Sequence, residues 1–306
     1  LWEQCALPYV AQRSEIDLLH SPVNVAPLLT DLPTVVTVHD LAFIRHPERF
    51  HRAKAGYLRS AVRLSLARAA RVIAVSRSTA SDISNNFDVP EQRIDVVYSG
   101  VASVFKPLDG ESKRRFNSSH FGGRPYILHV GTLEPRKNID VLLRSFARVR
   151  AQQDLPHVLA LAGAPGWMYE DLPALTAKLG LEEHVVFAGY VPPSDLPLWY
   201  NCADFFAYPS AYEGFGLPVL EAMACGVPVI TSASSALQEL ASDACLTTTP
   251  GSEEELAEAM TLLLDNRDLA ASLRDKGLRR SQGFTWEATA RNTARVYGQV
   301  LREQAT

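Results

Sequence analysis

The segment from Ala211 to Glu221 (AYEGFGLPVLE) combines two carboxylates with two glycines and a proline. Gly214 and Gly216 lack a Cβ, so the backbone there can turn sharply and approach a ligand closely. Pro218 suits the first turn of a helix, where its missing N–H costs no intrahelical hydrogen bond. A helix that begins at this point would direct free amides and the positive end of its dipole at the preceding loop. The segment therefore predicts an anion site.

Glu213 comes just before this predicted anion site, and Glu221 lies within the predicted helix. A carboxylate beside a phosphate is unfavourable unless it has another role, such as accepting hydrogen bonds from sugar hydroxyls. A plain glycine turn before an amphipathic helix is equally compatible with these residues, because short motifs often mislead.

A second segment with candidate ligand-binding side chains runs from Gly131 to Asn138 (GTLEPRKN), directly after an apolar run that ends at Val130. Arg136 could neutralise a diphosphate through a bidentate fork, and Lys137 could do so as a point charge. Asn138 is a candidate helix N-cap. Taken alone, the loop is better explained as a solvated basic turn.

Short apolar runs alternate with amphipathic helical stretches along the chain and predict the elements that hold these loops. In the first part we expect strands near Ile16–Leu19 and over Thr34–Val38, Arg71–Val75 and Ile94–Tyr98. In the second part we expect strands over Tyr126–Val130, His157–Ala162, His184–Phe187, Asp204–Tyr208, Val227–Thr231 and Ala244–Leu246. This alternation predicts two α/β domains with parallel sheets covered on both faces. Both of these loops follow strands of the second sheet, at the ends where such sheets bind ligands.

The pattern that starts at Glu213, E-G-F-G-L-P-x-L-E-A-M-A-C-G-x-P-V-I, resembles the E-x7-E motif of family 4 glycosyltransferases. These are retaining enzymes of the GT-B fold. The loop GTLEPRKN is also similar to that family, as are the runs F-A-G-Y-V-P, L-W-Y-N-C-A-D and Y-P-S and the V-H-D at Val38 to Asp40. The similarity covers nearly the whole chain, with the motifs in family order. It implies a GT-B architecture of two Rossmann-like domains that face a cleft.

The resemblance also implies roles for individual residues. Glu213 would hold hydroxyls of the donor sugar, Lys137 would stabilise the leaving diphosphate, and His39 would line the cleft near the anomeric carbon. Glu221 would bind the ribose. The remaining donor-binding residues implied by the resemblance are Gly131, Thr132, Arg136, Tyr190, Val191, Gly214, Phe215, Gly216 and Leu217. Many relatives carry an arginine where this chain has Thr132, so the phosphate site would depend more heavily on Lys137 and Arg136.

Transfer with retention is consistent with these residues. Fixed cations and helix amides would stabilise the charge that builds on the diphosphate as the glycosidic bond stretches. No second carboxylate is evidently placed as a glycosidase-type nucleophile. By resemblance, the leaving phosphate would deprotonate the acceptor. We expect no metal ion and no cofactor, because the sequence has no D-x-D-like ligand cluster.

The predicted organisation has four parts. Residues 1–107 form a partial N-terminal Rossmann-like acceptor domain and residues 108–124 a connection. Residues 125–284 form the C-terminal donor domain, and residues 285–306 a helix that packs back toward the first domain. The first part predicts only about four strands, so we expect its opening βα units to be missing. A second chain or a homo-oligomer partner would then cover the incomplete sheet.

Two functions follow from this organisation. The first is a retaining transferase that moves a hexose from a GDP-mannose-type or UDP-glucose-type donor to an unidentified acceptor hydroxyl. The second is a truncated, non-catalytic sugar-nucleotide-binding module that needs a partner chain for activity. A phosphorylase is disfavoured, because no pyridoxal-phosphate lysine motif is recognisable.

Bulk properties narrow the setting. A net charge of −4 gives no reason to expect nucleic acid as a partner. The four cysteines are widely spaced, and no apolar run is long enough for a membrane span, so we expect a cytoplasmic protein.

Between Glu48 and Asp82 there are eight basic residues and no acidic one. The basic helix over Arg52–Arg71 could contact a membrane surface peripherally, although a solvated helix face is the simpler interpretation.

Overall fold

The computed structural model describes residues 2–47, 51–166 and 168–304. The chain forms two compact units. The first unit comprises Leu1–Gly100, Glu213–Phe215 and Trp286–Thr306, and the second comprises Val101–Tyr212 and Gly216–Thr285. Each unit contains one all-parallel sheet with helices packed on it, so the expected α/β class with two Rossmann-like domains is confirmed.

The elements are numbered in chain order. The strands are β1 (Leu19–Ser21), β2 (Thr34–Val38), β3 (Arg71–Ala74), β4 (Ile94–Val96), β5 (Tyr126–Val130), β6 (Val158–Ala162), β7 (Val185–Gly189), β8 (Phe205–Tyr208), β9 (Val229–Ser232) and β10 (Leu246–Thr248). The helices are α1 (Leu7–Arg13), α2 (Ala42–Arg45), α3 (Arg52–Arg68), α4 (Arg77–Phe87), α5 (Gly110–Phe121), α6 (Ile139–Gln152), α7 (Asp171–Lys178), α8 (Leu196–Cys202), α9 (Leu217–Ala224), α10 (Ser235–Ala241), α11 (Glu253–Asp265), α12 (Arg267–Ser281) and α13 (Trp286–Gln304).

The first sheet has the order β1-β2-β3-β4, so each new strand is added on the same side of the previous one. The apolar run TVVTV forms β2, in which every residue is buried. Val36 of β2 packs with Val62 and Leu66 of α3 and Ile83 of α4 on one face of the sheet. The other face is covered by the last helix, as described next.

Helix α13 returns to the first sheet after the second unit is complete. Its apolar positions Val296 and Val300 are 0% and 1% exposed and pack against Val35 and Ile73 of the sheet. The hydroxyl of Tyr297 lies 2.6 Å from Nδ1 of His20 on β1. Helix α13 thus packs on the first sheet through Val296 and Val300.

The second sheet has the order β10-β9-β8-β5-β6-β7. The chain enters at the centre with β5 and moves outward through β6 to β7. It then returns to the other side of β5 with β8 and continues outward to β10. The order in which successive strands are added across the sheet therefore reverses between β5 and β8. This pair is the topological switch point, where sheets of this kind bind ligands.

Residues 108–124 differ from the predicted connection. They contain α5, which belongs to the second unit, with Asp109 as N-cap accepting from the amides of Glu111 and Ser112. Phe116 and Phe121 of α5 pack edge-on against Trp199, at ring distances of 5.4 and 5.6 Å. The helix was not predicted because the composition of this stretch is polar and only a few aromatic side chains anchor it.

Helix α3 matches the predicted basic helix in position. Arg59 and Arg63 are exposed, as are Tyr57 and Leu64, which are 65% and 52% accessible. The side chain of Arg52 lies outside the described residues. Within residues 2–47, 51–166 and 168–304, no helix has the length and apolar character needed to cross a bilayer. The expected second chain over the first sheet stays a prediction.

Candidate donor-binding site

Two loops lie side by side at the switch point of the second sheet, one after β5 and one after β8. The amide of Ala211 donates to the carbonyl of Arg136 at 2.9 Å, and Nδ2 of Asn138 donates to the carbonyl of Pro209 at 2.9 Å. The expected side-chain cap by Asn138 is wrong. Asn138 precedes α6, but its backbone is left-handed (φ 52°) and its side chain ties the two loops together without capping the helix.

Lys137 is buried between these loops, with 6% of its surface exposed. Its Nζ donates to the hydroxyl of Tyr208 at 2.6 Å and lies 5.0 Å from the centre of the Tyr208 ring. Burying an ammonium is costly unless anionic or polar partners surround it. Lys137 is thus a fixed cation at the strand ends, suited to an anionic ligand.

Arg136 lies across the loops and contacts protein groups on both sides. Its Nε and Nη2 donate to Oε1 of Glu134 at 3.0 and 2.8 Å, and its Nη1 donates to the carbonyl of Tyr212 at 2.7 Å. These contacts hold the residue that immediately precedes Glu213. Direct contact of Arg136 with a diphosphate stays a prediction.

The loop that follows β6 supports the loop that follows β5. The amide of Leu133 donates to the carbonyl of Ala164 at 3.0 Å, and a Cβ on Gly163 would lie 1.8 Å from the carbonyl oxygen of Gly131. Only glycine allows this approach. Gly131 itself lies beside Lys137 and Tyr208, while Thr132 is exposed.

The predicted helix start after the glycine loop is confirmed. Helix α9 begins at Leu217, with Pro218 in its first turn and Gly216 in the N-cap position at φ 103°. The backbone angle at Gly216 favours glycine, and a Cβ there would also lie 2.6 Å from Cδ2 of Leu237. The first amides of α9 have no intrahelical acceptors and make this end electropositive.

Glu221 lies one turn further along α9 and accepts a hydrogen bond at Oε2 from the hydroxyl of Tyr200, at 2.8 Å. Burial raises the pKa of Glu221 to about 7, and the Tyr200 hydrogen bond acts in the opposite direction.

Tyr190 and Val191, two of the predicted donor-binding residues, follow β7 at the edge of the second sheet. Tyr190 is 70% exposed and Val191 is buried. Gly189, with φ 68°, turns the chain at the end of β7, and its carbonyl accepts from the amide of Gly163 at 2.8 Å. Tyr190 thus offers a large accessible ring at the end of a strand.

The first unit brings His39 together with the glycine loop. His39 follows β2, and its Nε2 lies 2.8 Å from the carbonyl of Pro22, which makes Nε2 the protonated nitrogen. A Cβ on Gly214 would lie 1.6 Å from the carbonyl oxygen of His39, and Thr79 donates its hydroxyl to the Gly214 carbonyl at 3.2 Å. A residue with a side chain at position 214 would overlap this carbonyl, so the close backbone contact requires glycine there.

The residues on either side of Gly214 are also packed in the first unit. Glu213 is 9% exposed, and the ring of Phe215 lies 6.1 Å from that of Tyr98. Glu213 is therefore a nearly buried carboxylate next to the close backbone contact at Gly214.

The sequence analysis missed two tyrosines that contact candidate site residues. Tyr208 ends β8 and contacts Lys137, and Tyr200 lies in α8 and contacts Glu221. In the sequence, each resembles an ordinary core aromatic residue, because its apolar ring is buried and only its hydroxyl contacts a candidate site residue. The position of Tyr208 as the last residue of a strand was the available signal.

Comparison with known proteins agrees with the fold and the loops. Residues 111–280 match the family described as glycosyl transferases group 1, and residues 1–103 match that described as glycosyltransferase family 4. The O-antigen chain mannosyltransferase B of Escherichia coli is 33% identical over 267 residues, which are 86% of this chain and 69% of that protein. A serotype-specific mannosyltransferase WbdA of Escherichia coli is 28% identical, and the chain spans only 34% of its length.

Solved structures share the fold. Sucrose-phosphate synthase from Thermosynechococcus elongatus matches 97% of this chain and 77% of its own, with a TM-score of 0.84 and 24% identity. Anabaena HepE, solved in complex with UDP and glucose, matches 95% of this chain and 80% of its own, with a TM-score of 0.82 and 24% identity. With a group 1 match that covers more than half of its residues, the chain belongs to the GT-B glycosyltransferases of group 1 and family 4.

Proposed function

We propose that this protein transfers a hexose from a nucleoside diphosphate sugar to an acceptor hydroxyl, with retention of the anomeric configuration and without a metal ion. The observation that best supports this proposal is that the buried Lys137 and the start of α9 both follow strands at the switch point of the second sheet. A fixed cation and free helix amides at one strand edge are suited to a diphosphate.

The nucleotide would bind to the second unit. Its diphosphate would contact Lys137, the turn formed by Gly131 and Thr132, and the amides of Gly216 and Leu217. The base would lie against Tyr190 and Val191, and Glu221 would accept hydrogen bonds from the ribose hydroxyls.

The sugar would bind to Glu213, Gly214, Phe215 and His39. The carboxylate of Glu213 would accept hydrogen bonds from sugar hydroxyls and oppose the positive charge that develops at the anomeric carbon. The protonated Nε2 of His39 is engaged with Pro22, which supports a fixed ring orientation. Such preorganised groups stabilise charge that develops only in the transition state.

The ammonium group of Lys137 would act on the leaving diphosphate. As the glycosidic bond breaks, negative charge moves onto the phosphate, where a cation in a dry environment stabilises it most. The same phosphate oxygen would then take the proton of the acceptor hydroxyl on the same face of the sugar. No metal ion is needed for either step.

We propose mannose as the sugar, with GDP-mannose as the first donor to test and UDP-glucose as the second. The E. coli relatives named above are mannosyltransferases, which supports this order.

The proposal is tested by incubating the purified protein with GDP-mannose or UDP-glucose and a panel of saccharide acceptors in the presence of EDTA. We expect nucleotide release, and an α-linked product when its anomeric proton is recorded by NMR. The variant Glu213→Gln should release nucleotide at a rate roughly two orders of magnitude lower. Binding of the nucleotide without any release would instead favour the binding-module function. A β-linked product would contradict retention.

We also propose peripheral contact between α3 and an anionic membrane surface. The exposed Tyr57 and Leu64 accompany the exposed Arg59 and Arg63 on this helix, a combination suited to an anionic interface. Vesicles containing phosphatidylglycerol should bind the protein, and the double variant Arg59→Glu and Arg63→Glu should not bind. The matched control, with Arg114→Glu and Arg267→Glu on other helices, should still bind. Equal binding by both double variants would contradict the proposal.

A further inference from the structure

Tyr200 is held more rigidly than a packing role requires. It is fully buried in α8, and its ring meets Phe105 and Phe206 edge-on at ring distances of 5.9 and 5.3 Å. The next residue, Asn201, anchors the helix by donating to the carbonyls of Lys106 and Pro197, both at 2.9 Å. The phenol hydroxyl is thus fixed in position.

That hydroxyl donates to Oε2 of Glu221 at 2.8 Å. A carboxylate has about four acceptor positions on its two oxygens, of which this hydrogen bond uses one. Glu221 is partly exposed, whereas Tyr200 is not, so a ligand can reach the carboxylate but cannot reach the phenol.

We propose that Tyr200 is a positioning residue for the donor nucleotide. It holds the Glu221 carboxylate so that Oε1 and the remaining positions of Oε2 accept hydrogen bonds from the neighbouring 2′- and 3′-hydroxyls of the ribose. This inference rests on the proposed function, because it requires a nucleoside diphosphate at this site.

The physical basis is preorganisation. A glutamate has three rotatable side-chain bonds, and ordering it when the ligand binds costs free energy that a fixed carboxylate avoids. Burial also disfavours the charged form of Glu221, while the phenol hydrogen bond favours it. The phenol hydrogen bond thus offsets part of the desolvation that favours the neutral carboxyl group.

The test uses the full chain with GDP and 2′,3′-dideoxy-GDP as probes, and Tyr200→Phe as the variant. The wild type should bind GDP at least about tenfold more tightly than the dideoxy form, because the dideoxy form leaves a buried acceptor unpaired. In Tyr200→Phe the GDP affinity should fall about tenfold while the affinity for the dideoxy form stays the same, so that the discrimination is lost.

Two controls separate positioning from general loss of structure. Tyr126→Phe removes another buried phenol, which donates to the carbonyl of Trp199 at 2.6 Å on the same helix, and it should keep the wild-type discrimination. In a Glu221→Ala background, Tyr200→Phe should have no further effect on GDP affinity, because it acts through Glu221.

Three results would overturn the inference while the proposed nucleotide site stands. They are a wild type that binds both probes equally, a Tyr200→Phe variant that discriminates as well as the wild type, and an undiminished Tyr200→Phe effect without Glu221. Failure of the wild type to bind any nucleoside diphosphate would instead contradict the proposed function itself.

Discussion

At the residue scale, the site depends on charged side chains that the fold holds away from bulk water. Lys137 keeps its ammonium against the Tyr208 phenol, and Glu221 keeps its carboxylate against Tyr200. Arg136, by contrast, uses its guanidinium on Glu134 and the carbonyl of Tyr212. Adjacent cations in the sequence thus have different surroundings, because successive side chains of the loop point in different directions.

The contacts of Arg136 predict a positioning role that can be measured. Arg136→Gln removes the support of Tyr212, which immediately precedes Glu213. We expect a fall of about tenfold or more in kcat, with the dissociation constant for GDP changed by no more than about twofold. Glu134→Gln should cause a smaller change in the same direction. A GDP affinity reduced as strongly as kcat would instead identify Arg136 as a phosphate ligand.

Glu221 predicts a pH dependence of stability. Burial raises its pKa from 4.5 in the unfolded chain to about 7 in the folded protein. Between these values the folded state holds the extra proton, so the free energy of unfolding falls as pH rises through this window. Glu221→Gln carries no such proton. Its stability relative to the wild type, measured by urea denaturation, should therefore be greater at pH 8 than at pH 5. A difference that is constant with pH would contradict the raised pKa.

At the element scale, the loops are shaped by close backbone contacts. The loop after β6 approaches the loop after β5 so closely that a methyl group on Gly163 would overlap the carbonyl of Gly131. This contact keeps Gly131 beside Lys137. The loop after β5 is therefore supported by a neighbouring loop of the same sheet.

A pair of glycine substitutions tests this. Gly163→Ala should lower the free energy of unfolding by about 3 kcal/mol or more, because backbone must move. Gly56→Ala, at an exposed position of α3 with nothing within 4 Å of the added methyl group, should raise it by about 0.5–1 kcal/mol. Urea denaturation measures both changes. A neutral Gly163→Ala would show that the two loops do not press together.

Elements with strong local signals could be predicted from the sequence. Pro218 lies in the first turn of α9, as the pattern predicted, and α13 (Trp286–Gln304) lies within the stretch predicted to be helical. Short buried strands such as β2 were equally clear. Helix α5 was missed because its composition is polar, and the Asn138 cap was wrong because tertiary contacts between loops outweigh a local preference. Contacts such as Tyr200 with Glu221 depend on the packing of distant segments, which no local pattern encodes.

At the scale of the whole molecule, the chain starts in one compact unit, builds the second, and returns with α13 to the first. Val296 and Val300 are buried against Val35 and Ile73, so the last residues complete the core of the first unit. The integrity of the first sheet therefore depends on the end of the chain.

Hydrogen exchange tests this dependence. Val296→Ala should destabilise the first unit by about 2 kcal/mol and speed the exchange of amides in β2 and β3, leaving those of β5 and β6 unchanged. Met260→Ala, in the core of the second unit, should have the opposite pattern. Faster exchange in the second sheet of the Val296 variant would contradict the assignment of α13.

The central claim is that the second unit holds a nucleoside diphosphate through Lys137 and the start of α9. The most direct measurement is a calorimetric titration of the wild type, Lys137→Ala and Lys178→Ala with GDP in the presence of EDTA. We expect saturable binding by the wild type, unchanged binding by the exposed-lysine control Lys178→Ala, and an affinity at least about tenfold lower for Lys137→Ala. No binding by the wild type, or equal binding by all three proteins, would contradict the account.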